Sequence, residues 1–166
     1  NMIDVGAHHG SALMPFLNKA WKIFAFEPDE KNRQKLLERL AKHASAALVK
    51  LDTRAVSNES RKGLLFYRSE ESTGISGLSA FHPSHKAEQT VDTVTLTEAL
   101  AGETLSAVDF LKIDTEGHDL FVLKGFPWDR FRPAVIECEF EDSKTVPLGY
   151  TFHDLANYLV EKGYTI

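Results

Sequence analysis

Asn1-Met2-Ile3-Asp4-Val5-Gly6-Ala7-His8-His9-Gly10 opens the chain. A short apolar run ends in an acid, two glycines four apart follow, and a helical pattern begins at Ser11. Strand, tight turn and helix start in that order are what open α/β sheets use to hold nucleotide-like ligands. Gly6 lets the backbone turn without a Cβ, and Gly10 lets a ligand approach the helix start. The next strand, Lys22-Ile23-Phe24-Ala25-Phe26-Glu27, ends in an acid roughly 20 residues on. That separation sets a carboxylate beside the ribose hydroxyls of a ligand lying on the first turn.

Outward from this stretch, the pattern predicts an alternation of helices and strands. Ser11 caps a first helix whose apolar face is Leu13, Met14, Phe16, Leu17, Ala20 and Trp21, with Pro15 in its first turn. Asp29 is the expected N-cap of a second helix through about His43, carrying Leu36, Leu37 and Leu40. A third strand follows from Ala46 to Leu51, bounded by Asp52. Arg54–Ser57 and Gly63–Tyr67, joined through Asn58-Glu59-Ser60, read as an inserted β-hairpin. Residues 69–89 show no sustained period and read as a long loop facing the acceptor of a reaction. Thr90–Leu96 alternates as a strand, and Thr97 caps a short helix ending near Gly102. Ala107–Asp114 is the second key strand, interrupted by Lys112, and a short helix from Leu120 ends at Gly125. Pro133–Phe140 is a further strand with Glu137 and Glu139 on one face. Phe152–Lys162 is helical, Gly163 stops it, and another strand begins at Tyr164.

Composition sets the outer limits. A chain of 166 residues is one domain with room for a substantial core, and 43% hydrophobic with 26% charged residues is ordinary for a globular protein. A net charge of -5 argues against a nucleic-acid backbone as the main partner. The lone Cys138 excludes an intrachain disulfide and a multi-cysteine zinc site, and its apolar surroundings read as packing. No apolar run approaches the roughly 18 residues needed to span a bilayer, so no membrane partner is expected and the chain is assigned to the cytoplasm. Beginning on its first strand and stopping as another begins, the chain reads as an excerpt of a longer protein.

Three ordered motifs carry a family resemblance: Asp4-Val5-Gly6-Ala7-x-x-Gly10, then Ala25-Phe26-Glu27-Pro28, then Leu111-Lys112-Ile113-Asp114-Thr115-Glu116-Gly117. Together they resemble the FkbM-type S-adenosylmethionine-dependent methyltransferases, from Ile3 to about Glu139. The resemblance implies a Rossmann-like class I methyltransferase fold: an open, mostly parallel sheet with helices on both faces. It implies S-adenosyl-L-methionine as cofactor and O-methylation of a hydroxyl on a saccharide or other small-molecule acceptor. Thr115 stands where the family usually has Val, and His8 where Asn or a small residue is common. Both departures touch the shape of the pocket.

The residues support the same cofactor. Such a donor presents an ammonium and a carboxylate where a dinucleotide presents a pyrophosphate. Asp4 suits the ammonium, and the amides of the Gly6–Gly10 turn, with Ala7 and His8, suit the carboxylate. Glu27, followed by Pro28, is expected at the ribose, and Asp52 and Thr53 at the adenine edge. Asp114 is expected beside the sulfonium, because the carboxyl ends of parallel strands form the ligand crevice. Asp114, Glu116, His118 and Glu139 are the candidates for a base that takes the hydroxyl proton, and the sequence does not choose among them. Adjacent His8 and His9 lack partners at ligand spacing. Asp114, Glu116, His118 and Asp119 form the stronger cluster for a hard cation, yet the resemblance implies no metal. Two other functions remain open: an NAD(P)- or nucleotide-sugar-binding Rossmann enzyme, and a non-catalytic cofactor-binding module.

Overall fold

Alternation along the first strand builds two separate cores. In the computed structural model, which describes residues 1–166, Met2 belongs to one buried cluster and Ile3 and Val5 to another. Successive strand side chains point to opposite faces, so one strand feeds two layers. In chain order the elements are β1 (Met2–Val5), α1 (Met14–Leu17), β2 (Ile23–Phe26), α2 (Glu30–Leu40), β3 (Val49–Asp52), β4 (Ala55–Val56), β5 (Leu64–Ser69), β6 (His85–Val91), β7 (Thr93–Val94), α3 (Leu96–Ala99), β8 (Phe110–Ile113), α4 (Asp119–Lys124), β9 (Val135–Cys138), α5 (Asp142–Thr145) and α6 (Phe152–Glu161). Leu13, Met14 and Leu17 with Leu36 and Leu40 cover the Met2 face. Leu96, Leu120, Leu123, Leu155 and Leu159 cover the Ile3 face.

Five strands form the central sheet in the order β3–β2–β1–β8–β9, and every neighbouring pair is parallel. β1 is buried along its whole length, as a central parallel strand must be when helices lie on both faces. The α/β class, the parallel sheet and the helices on both faces therefore stand as the sequence indicates. β9, at the edge, alternates between exposed and half-buried positions.

The inserted hairpin forms from different partners than expected. β4 does not pair with β5; it runs parallel to β7, with Ala55 opposite Thr93 and Val56 opposite Val94. β5 instead pairs antiparallel with β6, with a register shift between Phe66 and Tyr67. The end of the expected long loop, His85–Gln89, is thus part of one arm of a two-stranded ribbon, and the rest forms its tip, with a short 3-10 turn at Thr73–Ile75. The first part of β6 was hidden because Lys86, Ala87 and Glu88 are exposed in succession, so no buried face imposed a period on its sequence before Thr90.

Helix boundaries also move. α1 is a single turn starting after Leu13, and Ser11 makes no cap; its hydroxyl meets Arg39 Nη1 at 3.2 Å. Asp29 caps α2 as expected, accepting from Lys31 N and Asn32 N. Thr95, two residues before Thr97, caps α3 by accepting from Glu98 N. Beyond α6, Tyr164 joins no strand; its hydroxyl donates to the Pro133 carbonyl at 2.7 Å.

Gly10 is corrected as well. Its φ is +79°, and a Cβ there would lie 2.5 Å from Leu36 Cδ1. The missing side chain makes room for α2, and Gly10 does not line the cleft described below. Gly10→Ala is expected to lower unfolding stability by about 1–2 kcal/mol from the left-handed backbone alone, with displacement of Leu36 adding to it. Urea unfolding measures the loss, and ligand affinity per folded molecule is expected to stay unchanged.

Candidate active site

A cleft opens at the carboxyl ends of β1, β2 and β8, the place where open parallel sheets bind ligands. The first turn is built by hydrogen bonds that leave little freedom. Gly6 N and Ala7 N both donate to the Phe26 carbonyl at 3.0 Å. Gly6 has φ +82°, and a Cβ would fall 1.9 Å from the Asp114 carbonyl oxygen. No other residue fits between the ends of β1 and β8 without separating them. His8 follows at φ +50°, a conformation in which Asn and His are enriched among non-glycine residues.

Glu27 closes the turn from below. Its Oε2 accepts from His8 N at 2.7 Å and its Oε1 from Asp29 N at 2.8 Å. Burial pushes its carboxyl up to about 7 despite these two amide bonds. A carboxylate has about four acceptor sites, so each oxygen retains capacity for a ligand hydroxyl. Pro28 and the buried Asn32 line the same wall, and Ala55, Val56 and Phe66 make an apolar one.

The ribbon tip reaches across this cleft. Thr73 Oγ1 lies 3.0 Å from His8 Nε2, and the Thr73 carbonyl accepts from Asn32 Nδ2 at 3.1 Å. Asn32 Oδ1 in turn meets His9 Nε2 at 3.1 Å, and the two imidazoles stack at 3.6 Å. Gly77, further along the tip, packs against Glu116. Along its two strands the ribbon is held by Arg68 to Asp29 at 2.6 Å and by Gln89 Nε2 to the Pro28 carbonyl at 3.2 Å.

On the far side, β8 ends in Asp114, Thr115 and Glu116, all of which line the cleft. Glu116 has φ +56° and Gly117 φ +95°, two consecutive left-handed residues that reverse the chain sharply. Left-handed backbone at a non-glycine residue costs roughly 1–3 kcal/mol and gathers at functional sites. Burial pushes the Glu116 carboxyl up to about 7, although Lys144 Nζ lies 2.7 Å away. Asp114 is more open, and Lys112 Nζ lies 3.3 Å from its Oδ2.

Several expected ligands sit elsewhere. Asp4 has no exposed surface and faces Lys112, whose Nζ lies 3.3 Å from Asp4 Oδ1, so it does not present itself to the cleft. Ala7 is buried among the packing residues around α1. Asp52 is engaged by Arg54 at 2.6 Å, and neither it nor Thr53 lines the cleft. His118 packs its ring 5.1 Å from Phe121, and Glu139 gives both oxygens to Lys144 at 2.9 Å; neither lines the cleft. Asp119 is wholly buried and organises the backbone, accepting from Thr115 N, Thr115 Oγ1 and Glu139 N. The carboxylates that converge are Asp114, Glu116 and Glu139, within 4.8 Å of one another, and not the sequence cluster with His118 and Asp119.

The loop read at residues 69–89 does reach the cleft, through Thr73, Gly74, Ser76 and Gly77, whereas sequence reasoning missed Asn32 and the two lysines. Lys112 did leave a signal: a charge inside a buried strand requires a buried partner, and Asp4 on the adjacent strand supplies it. Lys144 left none, since Glu141-Asp142-Ser143-Lys144 has the composition of an exposed turn.

His118 carries a testable pH effect. Burial alone lowers its imidazole to about 4, and its Nδ1 is buried without a partner. The folded chain resists a proton that the unfolded chain accepts, so stability is present above about 6.5 and is lost as pH falls toward 4. The shift corresponds to at most about 3 kcal/mol. Urea unfolding of His118→Phe at pH 7 and pH 5 is expected to show a smaller difference between the two pH values than the parent chain does.

The family model of the methyltransferase FkbM domain matches residues 4–166. No curated protein matches this chain. Among solved structures, the chain is similar to methyltransferase FkbM from Methylobacillus flagellatus KT, at 20% identity and a TM-score of 0.52. That match covers 75% of this chain and 28% of the other, so this chain spans less than a third of the solved protein's length. At this identity the likeness speaks for the fold alone. The family match extends over nearly the whole sequence, and the chain belongs to the FkbM methyltransferase family.

Proposed function

We propose that the chain transfers a methyl group from S-adenosylmethionine to the hydroxyl oxygen of a small-molecule or glycan acceptor. The observation that carries this reading is the pairing of the buried Glu27 with the Gly6 turn in one cleft, facing Asp114 and Glu116. The side chains fit the adenosine part of the cofactor, but the turn amides expected to take its carboxylate are spent within the chain: Gly6 N and Ala7 N on the Phe26 carbonyl, His8 N on Glu27 and Gly10 N on the Ala7 carbonyl. Glu27 keeps acceptor capacity for a ribose diol, the apolar wall of Ala55, Val56 and Phe66 suits an adenine, and Asp114 offers a carboxylate beside the Gly6 turn.

A dinucleotide fits less well. A pyrophosphate needs an open glycine turn and the N-terminus of a substantial helix. Here Gly10 is filled by Leu36 and α1 is one turn long. The non-catalytic alternative is disfavoured by Glu116, a strained and buried carboxylate in the cleft wall, for which cofactor retention alone gives no reason.

The cofactor supplies an electrophilic methyl group on a sulfonium, and the chain's own residues do the rest. Glu116 accepts the proton of the acceptor hydroxyl; a carboxyl raised to about 7 by burial is matched to a base working near neutral pH. Asp114, on the same strand end, provides negative charge next to the Gly6 turn. The ribbon tip, with Thr73 bonded across the cleft, excludes water and helps to hold the reacting groups in line. No helix is long and apolar enough to cross a membrane.

Two outcomes test this. S-adenosylhomocysteine is expected to raise the melting temperature by mass action, and NAD at the same concentration is not; the reverse pattern would remove the reading. With isotope-labelled donor and an acceptor found by screening monosaccharides and glycan fragments, Glu116→Gln is expected to lower kcat by at least roughly tenfold. Its affinity for S-adenosylhomocysteine, measured by calorimetry, is expected to change much less than turnover.

A further inference from the structure

Lys144 comes from a one-turn helix outside the sheet, yet its ammonium sits among the carboxylates at the mouth of the cleft. Nζ lies 2.7 Å from Glu116 Oε2, 2.9 Å from both oxygens of Glu139, and 3.2 Å from Glu141 Oε2. Its side chain is only 7% exposed. The position is fixed by the backbone around it. Gly117 is bare where a Cβ would stand 2.9 Å from Lys144 Cβ and 3.0 Å from its carbonyl oxygen. Tyr150 donates its hydroxyl to the Gly117 carbonyl at 2.8 Å, closing the same contact from another side. The Phe81 ring, from the ribbon, lies 5.5 Å from the ammonium.

This arrangement divides the two oxygens of Glu116. Oε2 is buried against Lys144, whereas Oε1 makes no hydrogen bond within the chain, on a residue that lines the cleft. Glu116 has two acidic neighbours, Asp114 and Glu139, with oxygens within 4.8 Å. Asp114 is balanced by Lys112, and Glu139 and Glu141 share Lys144. Like charges this close drive one carboxyl to keep its proton, and burial acts in the same direction. The single cation touching Glu116 is Lys144, and a buried acid deprived of its partner takes up a proton.

We propose that Lys144 is a positioning residue for methyl transfer, holding Glu116 ionised and turned so that Oε1 faces the acceptor hydroxyl. The proposal rests on the reading of Glu116 as the base. It identifies the ammonium as a built-in counter-cation for a site whose three converging carboxylates would otherwise repel one another. A purely structural ion pair would hold α5 to the turn and leave the proton affinity of Glu116 irrelevant to turnover.

Lys144→Met and Lys144→Arg separate these roles. The first readout needs no acceptor: a carboxyl-carbon NMR titration of glutamate-labelled chain, with Glu116 assigned by Glu116→Gln. In Lys144→Met the Glu116 midpoint is expected to rise at least one pH unit, a tenfold gain in proton affinity, and in Lys144→Arg to stay near that of the parent. The second readout is the kcat–pH profile. Lys144→Met is expected to lose at least tenfold in kcat at pH 7, to recover as pH rises, and to keep its affinity for S-adenosylhomocysteine. Lys144→Arg is expected to retain the parent profile. An unmoved Glu116 titration overturns the hold of Lys144 on Glu116. A titration that moves while the acid limb of kcat stays in place overturns Glu116 as the base, and with it the part of Lys144 in the reaction. Lys144→Gln, which keeps a donor without the charge, gives the same comparison if Lys144→Met does not fold.

Discussion

One ammonium ties together the two strands on which the cleft depends. Lys112 Nζ lies 3.3 Å from Asp4 Oδ1 on β1, from Asp114 Oδ2 at the end of β8, and from the Gly6 carbonyl between them. Asp4 has no exposed surface and Lys112 almost none. Burial pushes the Asp4 carboxyl upward and the lysine opposes it. Neither charge is tolerable alone at that depth, since removing one partner of a buried pair costs about 3–5 kcal/mol. The pair forms only when β1 and β8 lie side by side in register, Asp4 opposite Lys112. The contact that buries these charges therefore also brings the Asp114 carbonyl against the bare Cα of Gly6. Polar groups specify the centre of this sheet, and apolar groups supply most of its stability.

That dependence reassigns the first acid of the chain. Asp4 reads from sequence as a ligand for a cationic cofactor end, and its chemistry is indeed pairing with a cation, but the cation is a side chain of the neighbouring strand. The acid that does reach the cleft from this part of the sheet is Asp114, whose other neighbours are the Gly6 turn and the solvent.

What could be read in advance follows a physical rule. β1, β2 and β8 were legible because burial on both faces forces near-continuous apolar runs, and their ends are marked by acids or glycine. Glu27 and Asp114 could be placed at strand ends for that reason. β6 was legible only at its end, Thr90-Val91, because the exposed run before it imposes no pattern and its pairing with β5 is a long-range event. The hairpin misreading came from local turn chemistry at Asn58-Glu59-Ser60, which does reverse the chain there but leads β4 to a parallel partner, β7. Lys144 and Asn32 reach the site from helices that are polar in sequence, where solvent exposure is the ordinary expectation. The general lesson is that strand-end residues announce themselves, and residues delivered to a site by neighbouring helices do not.

The ribbon of β5 and β6 has a consequence for how such a domain diversifies. It pairs with itself and lies outside the parallel sheet. Its ties run to the Glu27 side of the cleft through Arg68, Gln89 and Thr73, and to the Glu116 side through Gly77 and Phe81. Its tip can lengthen, shorten or change composition without shifting the register of β1 on β8. The ribbon and the parallel sheet are thus distinct parts of one short chain, each contributing its own wall of the cleft. A change at the tip therefore leaves the β1–β8 register intact while reshaping the wall that meets His8, Asn32 and Glu116.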